Sequence, residues 1–254
     1  MKAPIVVIGI GEMGSVFARG FLRGGHPVYP VTRGEDMTAL AHELPEPELA
    51  LLAVAESDLH PGLEAIPEAW RSRLGLLQNE LLPRDWEQHG ISDPTVISVW
   101  FEKKKGQDSK VIIPSPAHGP KASLLVNCLG GIDIAARHVP DADAMLDELV
   151  IKNAYILTSN IAGLEVGGTV GDLWSCHPAV ARAVFTDVMA IQDHLTGREN
   201  DRDAVLRGML NAFDGDPDHK CMGRSAPARL ARALEIADAA ELAVPKLREI
   251  HPHG

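Results

Sequence analysis

Three glycines near the start of the chain have the spacing of a phosphate-binding turn. Gly9, Gly11 and Gly14 form the pattern G-x-G-x-x-G, directly after an apolar run at residues 4–9. In such a turn the first glycine permits a tight bend, the second lets backbone approach a pyrophosphate, and the third allows close packing of a helix on the strand. The pattern predicts a dinucleotide site at a helix N-terminus. The alternative is a tight strand-to-helix turn in an unrelated open sheet.

The residue that selects the dinucleotide is expected about 20 positions further on, at the end of the second strand. An acidic residue there binds the ribose hydroxyls of NAD, whereas this chain has Thr32 and Arg33. A guanidinium beside a hydroxyl suits a 2′-phosphate, so we predict NADP as the cofactor, with NADPH favoured over NADH. The alternative is that Arg33 pairs with Glu35 or Asp36 in its own loop.

A lysine in an apolar helical segment is the candidate for proton transfer. Residues 149–164 are largely apolar but include Lys152. At about 100° per residue, Tyr155, Ser159 and Asn160 lie within roughly 80° of the direction of Lys152, which gives a polar stripe typical of a helix that lines a cleft. Such a lysine could protonate the alkoxide that develops when a hydride reaches a carbonyl carbon. A solvated lysine at the edge of the helix is the alternative.

Short apolar runs predict the strands that position these residues. Loops rich in Pro and Gly separate them, as do helical patterns such as residues 59–66. This alternation predicts a parallel sheet with helices on both faces. The predicted strands are residues 4–9, 28–32, 49–54, 74–77, 95–100 and 110–113.

The pattern changes near Pro140. From Asp141 onward the periodicity is helical and no convincing strand follows. We therefore predict an α/β fold, with a Rossmann-type doubly wound sheet that binds NADP in residues 1–140 and a smaller all-helical domain for substrate binding and dimerisation in residues 141–254. The predicted helices of the second domain are residues 143–164, 172–195, 202–213 and 226–242.

Composition bears on the partners. A formal charge of -11 disfavours nucleic acid, and no segment reaches the roughly 20 apolar residues of a membrane helix. Three cysteines form no disulfide framework, which favours a reducing, cytoplasmic location. The apolar run at residues 5–10 is only as long as a strand and has no cleavage-site pattern behind it, so it is not expected to be a signal peptide. Apolar helix faces in the second half would otherwise face water, so we predict a homodimer. The remaining partner is a small-molecule substrate.

Other histidines and cysteines show no metal or nucleophile pattern. Neither Cys176-His177 nor His219-Lys220-Cys221 has the ligand spacing of a zinc site, so no metal is predicted. His219 and Lys220 are interpreted as part of a polar connection between helices. His118 is left without an assignment, and His251 and His253 are interpreted as a frayed tail.

Residues 9–33 resemble the opening of NADP-dependent β-hydroxyacid dehydrogenases, imine reductases and ketopantoate reductases, which belong to one superfamily. The form Gly-x-Gly-x-Met-Gly, which includes Glu12 and Met13, and the sequence "GHPV" carry this resemblance. It implies that Glu12 and Met13 belong to the cofactor turn.

Two later strand ends extend the resemblance. The sequence "LALLAVAESDL" is similar to the family strand that reaches the nicotinamide, which implies that Ala53 and Val54 contact the cofactor. The sequence "LGLLQNELL" resembles the "QNG" strand end of ketopantoate reductases. This implies a cofactor role for Gln78, and for Asn79 an orienting role toward the substrate or the nicotinamide carboxamide.

The sequence "ELVIKNAYILTSNIAGL" resembles the helix that carries the family's catalytic lysine, which implies that role for Lys152 and a substrate-orienting role for Asn160. Three departures accompany the match. Glu80 replaces the glycine after Gln-Asn, Ile156 replaces the asparagine one turn after the lysine, and the late substrate-binding glutamate is missing from "RSAPARLARALE".

The resemblance implies an NADPH-dependent oxidoreductase that reduces a carbonyl, in a 2-oxo acid or a related small substrate. The alternative is an NADP-binding sensor or regulator without turnover. Ile156 and the missing glutamate motivate this alternative.

Overall fold

The computed structural model describes residues 2–250 and divides into two compact units, Met1–Glu148 and Leu149–Gly254. The interpretation of His251 and His253 as a frayed tail lies outside the described residues. Within residues 2–250, no helix is both long enough and apolar enough to cross a membrane.

A seven-stranded sheet forms the centre of the first unit. Its order is β2-β1-β3-β4-β5-β8-β9, and all neighbouring pairs are parallel except β5 with β8. The sheet strands are β1 (Ile5–Ile8), β2 (Val28–Val31), β3 (Leu49–Leu52), β4 (Leu74–Leu76), β5 (Thr95–Ile97), β8 (Ser115–His118) and β9 (Ala136–His138). Strands β6 (Phe101–Glu102) and β7 (Lys110–Val111) form a separate antiparallel pair.

Helices cover both faces of this sheet, as predicted. The helices of the unit are α1 (Glu12–Arg23), α2 (Met37–Glu43), α3 (Leu59–Ala65), α4 (Glu68–Arg71), α5 (Pro83–Glu87) and α6 (Ala122–Gly130), with a 3₁₀ turn at Glu56–Asp58. Helices α1 and α6 pack on the face that includes Val7 and Leu51, and Gly62 of α3 lies against Leu52, which points to the opposite face. Because both faces are covered, every residue of β1 and β3 is buried.

The order in which the chain adds strands to the sheet changes direction between β1 and β3. Strand β2 lies on one side of β1, and β3 lies on the other. In open α/β sheets a ligand binds outside the carboxyl ends of the strands at such a switch point. The fold therefore places the Gly9–Gly14 turn, which follows β1, at the edge where a nucleotide would bind.

One predicted strand lies outside the main sheet, and two strands of that sheet were not predicted. Residues 110–113 were predicted as a strand of the main sheet, but Lys110–Val111 pairs with Phe101–Glu102 in the small sheet. Strands β8 and β9 were not predicted, because they are short and their sequences, SPAH and ARH, have no run of apolar residues.

The second unit is helical throughout its described part. Long helix α7 (Ala142–Val166) crosses the boundary and is followed by α8 (Val170–Cys176), α9 (Pro178–Thr196), α10 (Arg202–Gly215), α11 (Ala226–Ala239) and α12 (Pro245–Glu249). Helix α9 is central, because α8, α11 and α12 all pack against it. The continuous helix predicted at residues 172–195 is wrong: it breaks at His177, since Pro178 disfavours a helical conformation in the residue before it.

One residue at the edge of the sheet has a backbone conformation that favours glycine. Glu80, in the loop between β4 and α5, has φ of 62°. This is the position at which the related "QNG" sequence has glycine. A non-glycine residue in the left-handed region costs about 1 kcal/mol or more, so the loop holds Glu80 in a strained conformation.

Two substitutions separate this backbone strain from the side chain of Glu80. Glu80→Ala removes the carboxylate and keeps the strain, whereas Glu80→Gly removes both. We expect the glycine variant to be more stable than the alanine variant by about 1 kcal/mol, measured as the difference in free energy of unfolding in urea. Equal stability of the two variants would show that the loop relaxes without cost.

Candidate functional site

The glycine turn leaves no room for a side chain at two of its three glycines. Gly9 has φ of 90°, and a Cβ there would lie 2.7 Å from the carbonyl oxygen of Ala53. A Cβ on Gly14 would overlap the carbonyl oxygen of Gly9. Gly11 is different, because a Cβ there would meet nothing within 4 Å. The turn is therefore tight on the side of the sheet and open at Gly11, where backbone can approach a bound group.

Gly11 is also the N-cap of α1, and no side chain caps this helix end. The first backbone N–H groups of a helix have no partners within the helix and attract anions. Glu12 places a carboxylate in the first turn, but Lys103 lies 3.7 Å from it and offsets its charge. Met13 is partly buried and packs on the core. The residues present thus fit a pyrophosphate at Gly11.

The end of β2 presents Thr32 and Arg33 to solvent. The Arg33 side chain is 98% exposed, and its Nη2 atom lies 3.8 Å from Oδ2 of Asp58. Both partners are exposed, so this ion pair holds the guanidinium only weakly. Arg33 is therefore available to an anion at the end of β2.

The acidic residues of the Arg33 loop have other partners. Glu35 accepts a hydrogen bond from the backbone amide of Thr32, and this bond lowers the pKa of the Glu35 carboxyl. Asp36 caps α2 by accepting hydrogen bonds from the amides of Thr38 and Ala39. The ion pair that the structure shows for Arg33 is with Asp58, which lies outside this loop.

The ends of β3 and β4 are joined by a buried amide. Gln78 donates through Nε2 to the carbonyl oxygens of Leu52 and Val54, at 2.7 and 3.4 Å, and its Oε1 accepts from the amide of Leu77. Ala53 lies against the glycine turn. Gln78 thus positions the backbone around Ala53 and Val54, and its cofactor contact stays a prediction.

Asn79 is placed at the same edge and is partly buried. Its Nδ2 donates to Oε1 of Glu56 at 2.8 Å, which ties the loop after β4 to the loop after β3. The first unit therefore brings the glycine turn, Ala53, Val54, Gln78 and Asn79 together at the carboxyl edge of the sheet.

Lys152 lies on α7 in the second unit and is only 9% exposed. Its Nζ atom is 5.5 Å from the ring centroid of Tyr155, within the range of a cation–π interaction. The ring of Phe213 packs edge-on against Tyr155 and fixes its position. The residue is therefore largely buried, and its catalytic role stays a prediction.

Asn160, two turns further along α7, has its side-chain amide bound within the second unit. Its Nδ2 donates to the carbonyl oxygen of Cys221 at 3.0 Å, and its Oδ1 accepts from Nη1 of Arg229 at 2.8 Å. Burial raises the pKa of the Cys221 thiol to about 11, so this thiol is neutral at physiological pH. The substrate-orienting role of Asn160 stays a prediction, and its observed contacts orient Arg229.

Arg229 is a buried residue that the sequence analysis missed. It lies in α11 and is 8% exposed. A buried guanidinium is rare without partners, so it marks a polar region of the helical unit. The available signal was its spacing, because Arg229 shares a helix face with the buried residues Ala226 and Ala233.

His219 lies in the connection between α10 and α11, as interpreted, and its ring is close to that of Tyr155. Its ring centroid is 6.3 Å from that of Tyr155, and Nδ1 is 3.9 Å from the carboxylate of buried Asp216. Backbone hydrogen bonds join this loop to the turn after α7, through Val170 and Cys221. Lys220 is exposed. His118, in β8, has its ring Nδ1 3.1 Å from the Val139 carbonyl oxygen.

No protein-family model and no curated protein sequence matches this chain. Solved structures nevertheless have the same fold along nearly the whole length.

The 2-dehydropantoate 2-reductase of Methylococcus capsulatus is 15% identical, with a TM-score of 0.66 over 97% of this chain and 94% of that one. A dimeric ketopantoate reductase from Staphylococcus aureus is also 15% identical, with a TM-score of 0.65 over 97% and 96%. A D-mandelate dehydrogenase in complex with NADH is 12% identical, with a TM-score of 0.63 over 97% and 96%. The chain therefore has a ketopantoate reductase-like fold, with a Rossmann-type sheet followed by helices.

Proposed function

We propose that this protein is an NADPH-dependent reductase of a small carbonyl substrate of the 2-oxo acid type. The observation that carries the proposal is the glycine turn. Its geometry is tight at Gly9 and Gly14 and open at Gly11, and it follows β1 at the switch point of the sheet. The ketopantoate reductases and the D-mandelate dehydrogenase that share the fold support the reaction class.

The cofactor would be held by the carboxyl edge of the first unit, within residues 1–140. The amides that follow Gly11 would bind the pyrophosphate, with Glu12 turned toward Lys103. Thr32 and Arg33 would bind a 2′-phosphate, because a guanidinium matches phosphate oxygens in charge and geometry. Ala53 and Val54 lie beside the turn, where the rest of the nucleotide would pass.

NADPH, when bound, would supply the hydride for reduction of the carbonyl carbon of the substrate. Lys152 would donate a proton from Nζ to the carbonyl oxygen and stabilise the negative charge that develops there. The Tyr155 ring lies beside Nζ and restricts where the ammonium group points. The substrate-binding residues would belong to residues 141–254.

An NADP-binding sensor without turnover is the second candidate. Ile156, one turn after Lys152, is buried and apolar where the resembling helix has asparagine. An aliphatic side chain offers no hydrogen bond to a hydroxyl or a carboxylate of a substrate. The two candidates share the cofactor site and differ only in whether Lys152 takes part in a reaction.

Arg33 is expected to determine the choice of cofactor. Arg33→Ala is expected to weaken NADPH binding by tenfold or more, about 1.4 kcal/mol, and to leave NADH binding unchanged, since only NADPH carries the 2′-phosphate. Asp58→Asn releases Arg33 from its ion pair, so a modest gain in NADPH affinity is expected. Nicotinamide fluorescence in equilibrium titrations with both dinucleotides measures these effects.

Arg84→Ala is the matched control, because Arg84 is an exposed arginine of α5 in the same unit. If wild type binds NADPH and NADH equally, or if Arg33→Ala weakens both to the same extent, Arg33 does not select the cofactor. If neither dinucleotide binds, the glycine turn is only a structural feature of the sheet.

A substitution of Lys152 distinguishes the enzyme from the sensor. Lys152→Ala is expected to lower kcat about 100-fold or more, the usual range for loss of a general acid, and to leave NADPH binding intact. The assay follows NADPH oxidation with a panel of 2-oxo acids, and Lys105→Ala, at an exposed lysine, serves as control. NADPH binding by the wild type without oxidation of NADPH on the whole panel would favour the sensor.

The homodimer stays a proposal, supported by the dimeric ketopantoate reductase that shares the fold. Apolar helix faces give this proposal little support, because Met222 is the one large hydrophobic residue exposed among the described residues of the helical unit. We expect light scattering after size-exclusion chromatography to give twice the 27.3 kDa chain mass at micromolar concentration. A monomeric mass would remove the proposal.

A further inference from the structure

Two histidines of the first unit form a close pair outside the residues assigned to the cofactor. His60 is the second residue of α3, and His89 follows α5. Nδ1 of His60 lies 3.1 Å from Nε2 of His89, with the ring centroids 5.3 Å apart. At this distance at most one of the two nitrogens carries a proton between them, so the other presents a lone pair.

Neighbouring groups determine which nitrogen of His60 carries its proton. Nε2 lies 3.9 Å from Oδ1 of Asp85, and the carboxylate favours a proton on that nitrogen. On the other side of the ring, the amide Nε2 of Gln88 lies 3.3 Å from Nδ1 of His60. An amide nitrogen is a donor, so it favours a lone pair on Nδ1. Both neighbours therefore favour the tautomer in which Nδ1 of His60 carries a lone pair.

Asp85 is itself fixed and largely buried. Its side chain is 19% exposed, and Oδ2 accepts a hydrogen bond of 2.8 Å from the Leu82 amide. The carboxylate therefore faces Nε2 of His60 at 3.9 Å from a fixed position.

The backbone at both histidines is held in place. His89 donates its amide to the carbonyl oxygen of Trp86 and accepts a hydrogen bond from Arg71 at its own carbonyl oxygen. His60 lies between Leu59 and Leu63, which anchor α3 in the core. Both imidazoles are thus presented from fixed positions, so binding an ion would require little ordering of the chain.

We propose that His60 and His89 bind one divalent transition-metal ion, with Nδ1 of His60 and Nε2 of His89 as the protein ligands. At Zn–N distances near 2.05 Å, two nitrogens on a tetrahedral ion are about 3.3 Å apart, close to the observed separation. When the ion binds, the proton on Nε2 of His89 moves to Nδ1 of the same ring, and the ion replaces the contact of the Gln88 amide with Nδ1 of His60. The His60 side chain is 48% exposed, so water can complete the coordination.

The sequence does not show this site. The two histidines are 29 positions apart and belong to no ligand motif. They meet because α3 follows β3 and α5 follows β4, and those strands are neighbours in the sheet. An ion at this site would link α3 to the end of α5.

The experiment is a calorimetric titration of the full chain with Zn²⁺ at neutral pH. Wild type is expected to bind one ion, and His60→Gln and His89→Gln are each expected to weaken binding by tenfold or more, because each removes one of two protein ligands. Asp85→Asn keeps an acceptor for the Leu82 amide and is expected to weaken binding less than either histidine substitution, because it removes only the negative charge that faces His60. His42→Gln, at an exposed histidine of α2, is the control and should bind as wild type does.

A second measurement needs no variant. In spectra of histidine ring nitrogens, added Zn²⁺ should shift Nδ1 of His60 and Nε2 of His89 before it affects other histidines. The proposal is overturned if wild type binds no Zn²⁺, if both histidine variants bind it as tightly as wild type, or if these two nitrogens do not respond. None of these outcomes depends on whether the protein binds NADPH.

Discussion

The first unit depends on the close approach of α1 to the ends of β1 and β3. Gly14 lies directly against the carbonyl group of Gly9, and Gly9 lies against that of Ala53. Backbone hydrogen bonds complete the junction, from Gly9 to Val31 and from Ala53 to Ile8. A side chain at Gly9 or Gly14 would push the helix away from the sheet. Neighbouring backbone atoms occupy the space that a Cβ would need at Gly9 and Gly14. The first amides of α1 are therefore held close to the switch point of the sheet.

Charge around this junction follows from the same geometry. The protein carries a net charge of -11, so an anionic cofactor needs local positive charge to approach. The N-terminus of α1 provides part of it, and Lys103 offsets the carboxylate of Glu12. Arg33 provides an exposed cation at the end of β2, and its ion pair with Asp58 is weak because both partners are exposed. Of the acids in its own loop, Glu35 binds the Thr32 amide and Asp36 caps α2.

The sequence predicts those parts of the fold that depend on neighbours along the chain. The glycine turn, the buried strands β1 and β3 and the helix at Leu59 are local patterns, and all three are present. The break before Pro178 is also local, but it was missed because the apolar periodicity continues across it. Arg229 could not be assigned, because its partner Asn160 is 69 positions away. Gln78 lies at the strand end that the sequence predicts, but the sequence does not predict that its side-chain amide binds backbone groups.

Helix α7 shows why residue type alone does not assign a role. Lys152 and Asn160 lie on one helix and are both buried, but their surroundings differ. The Nζ atom of Lys152 lies 5.5 Å from the centroid of the Tyr155 ring, within the range of a cation–π interaction. The amide of Asn160 binds Cys221 and Arg229. These bonds join α7 to α11 and to the backbone at Cys221, so Asn160 contributes to the structure of the unit.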